Sequence, residues 1–257
     1  MSNDQANPIY WFNRDDPEMQ QAFRRAGSTF RFLWRELSWE YRRIIPALQL
    51  AAAKTAFADR PLAECSSDDH VEHMWLGEII FDGRAVTGKL LNKPNQLKSV
   101  KSGDVCSFPV EQLTDWMYAS SGRVYGAFTV NLLRLRMNPA ERQKHDAAWG
   151  LDFGDPGKIL LADSGQTDES DETEHPMSIN MRPKLIEHLQ SNPEIVNQAD
   201  ERGWTFLHRE SLAGNAMAVE VLLQHGADRN LQTNDGDVAI DLAKLMRWQK
   251  IIALLSP

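Results

Sequence analysis

DSGQTDESDETEHP, residues 163–176, divides the chain. It holds six acids, no Lys or Arg, and no aliphatic residue. Such a segment buries too little apolar surface to offset its ordering entropy, so it reads as a mobile acidic linker. Charge divides the same way. Residues 1–162 carry 20 basic and 20 acidic side chains and residues 177–257 carry 8 and 10, so the short stretch supplies most of the net charge of −8. Each flank has its own apolar pattern. The expected organisation is an α+β domain over 1–162, the linker over 163–176, and a small all-α domain over 177–257.

A length of 257 with 42% hydrophobic residues fits one or two soluble domains. No apolar run approaches the roughly 20 residues that span a bilayer. The polar start, MSNDQANPIYWFNRDD, lacks the basic and apolar regions of a secretory signal, so a cytoplasmic protein is expected. Two cysteines, Cys65 and Cys106, make neither a disulfide framework nor a zinc site. A pI near 5.4 argues against nucleic-acid binding and suits a basic protein partner. No metal or cofactor is expected.

Asp15, Asp16 and Pro17 read as a helix start that Gly27 stops, with Ser28 capping a second helix. Phe30, Leu33, Trp34, Leu37, Tyr41, Ile44 and Ile45 then recur at helical spacing, up to Pro46. Arg31, Arg35, Arg42 and Arg43 lie off that face, with Glu36 and Glu40 between them. They read as a solvated face, against a rival reading as a basic docking helix.

Strand character follows in 47–57, 72–81, 84–91, 105–110 and 113–119, with Asp82-Gly83 as a hairpin turn and 124–128 continuing the meander. Residues 129–137 suit a helix, and Asn138-Pro139 opens another through Trp149. The result is helices on a mainly antiparallel sheet. The blocks Glu72-His73-Met74-Trp75, Gly103-Asp104, Asp115-Trp116-Met117-Tyr118 and Gly122-Arg123-Val124-Tyr125-Gly126 resemble the YegJ-type bacterial domain of unknown function. That resemblance implies a fold and no established activity. If this domain holds a site, His73, Trp75, Asp115, Trp116 and Tyr118 are the residues expected around it. Glu72 with His73 has the makings of an acid/base pair, yet no nucleophile or phosphate loop accompanies them. His70 and His73 face opposite ways on a strand, which argues against a metal site.

The last third repeats with a period of 33. Gly203 and Gly236, Asn197 and Asn230, Leu207 and Ile240, and Leu222 and Leu255 all stand 33 apart. Asp200 to His208 and Leu222 to Asn230 resemble the opening and closing segments of an ankyrin repeat, followed by a truncated last unit and preceded by a partial one whose second helix is 183–197. Glu210 is the odd residue, a carboxylate where the repeat packs a small side chain; Arg209, Arg202 or the first domain would have to pair it. The resemblance places partner-facing positions at Glu201, Arg202, Trp204, Leu212 and Ala213, and at Asn234, Asp235 and Asp237. Trp204 is either an exposed interface anchor or a residue packed on its neighbours.

With no catalytic set in view, the chain reads as a non-catalytic protein-interaction module, and more narrowly as an immunity-type protein that neutralises a bacterial toxin. The alternative is a small-molecule enzyme or ligand-binding domain using the His73/Asp115/Trp116 region, with the ankyrin part as a docking arm.

Overall fold

The computed structural model describes residues 16–66, 69–163, 165–170 and 172–256. Its elements run α1 (Pro17–Glu40), β1 (Leu48–Phe57), β2 (Glu72–Phe81), β3 (Ala85–Leu90), β4 (Val105–Pro109), β5 (Leu113–Ser120), β6 (Arg123–Gly126), α2 (Phe128–Arg136) and α3 (Pro139–Trp149). Then come α4 (Pro176–Ser191), α5 (Phe206–Ala213), α6 (Ala216–Gln224), α7 (Ala239–Leu245) and α8 (Gln249–Leu255). The fold is α+β followed by a small all-α part, as the sequence leads one to expect. By contact the chain forms two units, one of residues up to Leu33 with Arg43–Glu169, the other of Trp34–Arg42 with Ser170–Pro257.

In the first unit all strands pair antiparallel in the order β4-β3-β2-β1-β5-β6. The β2–β3 turn works as the Asp82-Gly83 signal predicts. Asp82 Oδ1 accepts from the Arg84 and Ala85 amides at 2.9 and 2.8 Å, and Gly83 takes φ +90°. The two edges differ. At β6, Val124 N donates to Asp152 O and Gly126 N to Leu160 O, so a following segment covers that edge. One core layer joins Ala52, Trp75, Met117 and Ala119 of the sheet to Val130 of α2 and to Phe153. On α1, Trp116 Nε1 donates to Ala26 O and Thr29 Oγ1 at 3.0 and 3.1 Å.

The first helix departs from expectation. Gly27 does not stop it; α1 is continuous from Pro17 to Glu40. A mid-helix glycine costs about 1 kcal/mol, and burial of Ala22, Ala26, Phe30 and Leu33 on one stripe outweighs that. The helix then ends at Glu40, and Tyr41, Ile44 and Ile45, read as apolar-face residues, stand exposed. Arg31 and Arg35 are buried, which corrects the reading of a solvated face. In the first unit Arg31 donates to Glu169 O, while Ser28 Oγ and Arg25 Nε donate to the Glu169 carboxylate. Within the second unit Arg35 donates to Thr173 O at 3.0 Å, and Glu172 accepts from the Gln249 and Lys250 amides at 2.7 and 2.9 Å. The acidic stretch thus carries specific hydrogen bonds at its described residues.

In the second unit, α5 to α8 form two helix pairs. Helix α4 starts at Pro176, not at Pro183, which lies inside it. His175 caps it, its Nδ1 accepting from the Met177 amide at 3.1 Å.

Candidate functional site

The register of the central strands builds the chemistry of the first unit. Lys54 of β1 stands opposite Trp75 on one side and Asp115 on the other. Its ammonium lies 5.1 Å from the Trp75 ring centroid and donates to Thr129 Oγ1 at 3.1 Å. Asp115 is fully buried and accepts from Trp116 N at 2.8 Å, Phe128 N at 2.9 Å, Thr129 N at 2.9 Å and Thr129 Oγ1. Two of those amides open α2, where a carboxylate satisfies unpaired donors and meets the positive helix end. The entry residue, Ala127, is left-handed at φ +58°, and its own amide donates to Trp116 O at 2.7 Å. Burial pushes the Asp115 carboxyl up and the Lys54 ammonium down, and each charge opposes the other's shift. The carboxylate has every one of its strong positions engaged, and its work is to anchor α2 on the sheet.

The five residues expected to share a pocket do not. Trp75 and Asp115 flank Lys54, but Trp116 and Tyr118, opposite Ala53 and Ala51, alternate to the other face of β5. Tyr118 stacks on Tyr125 at 4.6 Å between centroids. His73 stacks on Phe23 at 5.2 Å and its Nδ1 lies 3.1 Å from Thr114 Oγ1. Glu72, considered as its acid/base partner, is buried and accepts from the Asn95, Gln96 and Leu97 amides, which orders that loop. Sequence reasoning missed Lys54, although a lysine as the one charged residue of the LQLAAAKTAF strand was the available signal. Among the described residues no group of three His, Cys, Asp or Glu is placed to hold a metal ion.

In the second unit the two repeat turns are joined. Asn234 N donates to Arg202 O and Asn234 Nδ2 to Glu201 O, both at 2.9 Å. Gly203, at φ +77°, admits this approach, since a Cβ there would stand 2.9 Å from Asn234 N. Glu201, Arg202, Asn234 and Asp235 are exposed and Asp237 is half-buried. Trp204 and Leu212 are buried, at 8% and 2% exposure, so neither presents a side chain to a partner in this structure. Arg202 sits 5.9 Å from the Trp204 ring. The Trp204 Nε1 and Ser211 Oγ atoms are buried and have no hydrogen-bond partner among the described residues.

Glu210, buried at 8% exposure, is paired by Arg42, while Arg209 pairs with Asp200. Arg42 donates to it at 2.7 and 3.4 Å, and Asn215 Nδ2 at 2.6 Å. Asn215 in turn accepts from Trp39 Nε1 at 2.9 Å.

His208 ties α5 to the next turn. Its Nδ1 accepts from Thr205 N at 3.1 Å, and its Nε2 donates to Leu231 O at 3.0 Å. Burial holds its pKa below the ordinary histidine value, against the raising effect of the Leu231 carbonyl and the acids Asp237 and Asp200. The unfolded chain therefore binds more protons between the depressed folded value and the ordinary one near 6.5. Stability from this residue is full above pH 6.5 and lost as pH falls towards the folded value. Acidification from pH 7.5 to 5.5 should lower the thermal midpoint, and His208→Gln should show a shallower pH dependence than the wild type. Equal slopes in parallel melts would refute the assignment.

The family model described as "Uncharacterized protein conserved in bacteria (DUF2314)" matches residues 16–153. A protein of Neisseria meningitidis serogroup B named for ankyrin repeats is 40% identical over 249 residues, 97% of this chain and 97% of its own. The protein YegJ of Escherichia coli K12 is 28% identical over 78 residues, 30% of this chain and 51% of that one. Human NAD-capped RNA hydrolase NUDT12 is 32% identical over 73 residues, 28% of this chain and 16% of that one.

Proposed function

The chain belongs to the bacterial DUF2314 family, and from that membership and the ankyrin part that follows it we propose that the protein works by binding another protein, not by catalysis. The observation that carries the reading is the joined pair of repeat turns. Their backbones hold each other through Asn234, and they expose Glu201, Arg202, Asn234 and Asp235 on a surface whose order is set before any partner arrives. A preordered surface binds with less entropic loss. The near relative named for ankyrin repeats supports the same class of function. In the first unit the buried Asp115 carboxylate is committed to anchoring α2, which weakens the enzyme alternative built on it.

The finer reading is an immunity-type protein acting in the cytoplasm with a toxin as partner. Its support is the acidic chain, net −8, which suits a basic partner. Among the described residues no helix is long and apolar enough to cross a membrane. The test is affinity capture from native lysate with the full chain and with an Arg202→Ala, Asp235→Ala double variant. One stoichiometric partner, retained by the parent and bound at least about tenfold more weakly by the variant, is expected. Equal retention by both would remove the turn surface as the binding site.

A further inference from the structure

Within the second unit, residues Trp34–Arg42, the end of α1 and the turn after it, meet the repeat part chiefly through tryptophan and arginine side chains. Trp39 donates its indole N–H to Asn215 Oδ1 at 2.9 Å. Arg42 pairs with Glu210 at 2.7 Å and lies 4.7 Å from the Trp39 ring centroid. Arg35 sits 5.2 Å from the Trp248 ring, and Trp248 Nε1 donates to Leu212 O at 3.2 Å. His175 stacks on Trp39 at 5.6 Å and its Nε2 lies 3.1 Å from Glu36 Oε2. Arg35, Trp39 and Arg42 stand at i, i+4 and i+7, one face of a helix continued into the turn after it.

Two features separate this arrangement from ordinary core packing. Its anchors are Trp and Arg with directed polar contacts, the composition of recognition surfaces; domain interiors are built from Leu, Ile and Val. On the receiving side, Glu210 stands where an ankyrin repeat packs a small residue, and together with Asn215 it meets Trp39 of α1 and Arg42 of the turn after it. A buried carboxylate is costly without a cation, so Glu210 makes sense as an arginine reader.

We propose that the face built by Glu210, Asn215 and Trp248 is a receptor for a helix presenting arginine and tryptophan on one side, and that Trp34–Arg42 occupies it as an intramolecular ligand that a partner helix must displace. This deepens the protein-binding reading and rests on it, adding a second surface beside the repeat turns. A tethered ligand acts at an effective concentration on the order of millimolar, so a free helix of similar affinity does not compete at micromolar levels until the tethered one is weakened.

The test uses the full chain and a fluorescein-labelled peptide of residues 30–44, FRFLWRELSWEYRRI, read by anisotropy. The Trp39→Ala, Arg42→Ala double variant should bind it at least tenfold more tightly than the wild type. Adding Glu210→Gln to that variant should remove at least tenfold of the gain. If circular dichroism shows the double variant unfolded, Arg42→Ala alone carries the test, with a peptide in which the matching arginine is alanine as its control. No binding to a folded variant, equal binding to variant and wild type, or indifference to Glu210→Gln overturns the proposal. So does unfolding of Arg42→Ala, because α1 would then be a fixed part of the unit. Failure here with a partner still captured through Arg202 and Asp235 would remove this inference and leave the protein-binding function standing.

Discussion

Asp115→Ala should lose about 3–5 kcal/mol of unfolding free energy, the cost of removing one member of a buried pair and leaving the other uncompensated. The carboxylate does three jobs at once. It offsets the Lys54 charge, it accepts the Phe128 and Thr129 amides that open α2, and it takes the Thr129 hydroxyl. Alanine leaves an ammonium without its nearby anion and frees two helix-end donors in a closed interior. The measurement is a urea titration with the slope checked against wild type, so that a midpoint shift reports stability alone. A companion, Lys54→Met with Asp115→Asn, should lose clearly less, because neither charge remains and the amide oxygen can still accept one of the bonds. A loss below about 1 kcal/mol for Asp115→Ala would mean that the pair contributes little beyond an exposed ion pair. Equal losses for the single and double variants would show that the cap matters and the charge does not.

Gly214→Ala is the second large effect expected. Gly214 closes α5 at φ +81°, a conformation that costs a side-chain-bearing residue about 1–2 kcal/mol. Space makes it worse. A Cβ there would stand 2.3 Å from Trp248 Cε2 and 2.4 Å from Cζ2, within a buried indole whose Nε1 is bonded to Leu212 O. Overpacking of that kind adds about 1–3 kcal/mol, so the whole effect is about 2–5 kcal/mol. Gly226→Ala separates the two causes. Gly226 has φ +87° and nothing within 4 Å of its added Cβ, so it should show the backbone cost alone. Matching losses at the two glycines, measured by thermal unfolding, would dismiss the Trp248 clash.

What the sequence makes legible here is local. The Asp82-Gly83 turn and the strands beside it are specified by neighbours, and β2 runs from Glu72 to Phe81 as its pattern predicts. The 33-residue period marks the repeats in the same way, because identical local units repeat identical signals. Gly27 misleads for the opposite reason: its local cost is real, and burial along α1 overrides it. The site residues were harder. Asp115 looks like any acid in a strand until the register brings Lys54 opposite and α2 above it. Glu210 was recognisable as a misfit from the repeat pattern alone, but its partner Arg42 lies 168 positions earlier, and no periodicity links the two. Trp204 admits two readings from the sequence, and only burial separates them.

The membership of Trp34–Arg42 in the second unit has a consequence for biosynthesis. A ribosome adds roughly 5–20 residues per second, so on the order of 10–35 s pass between completion of α1 and the appearance of Asn215. During that interval Trp39, buried in the finished protein, has not met Asn215 of the repeat part. The nascent chain therefore carries Trp39 without its partners through most of its own translation, an exposure of the kind under which chains recruit chaperones or associate with one another.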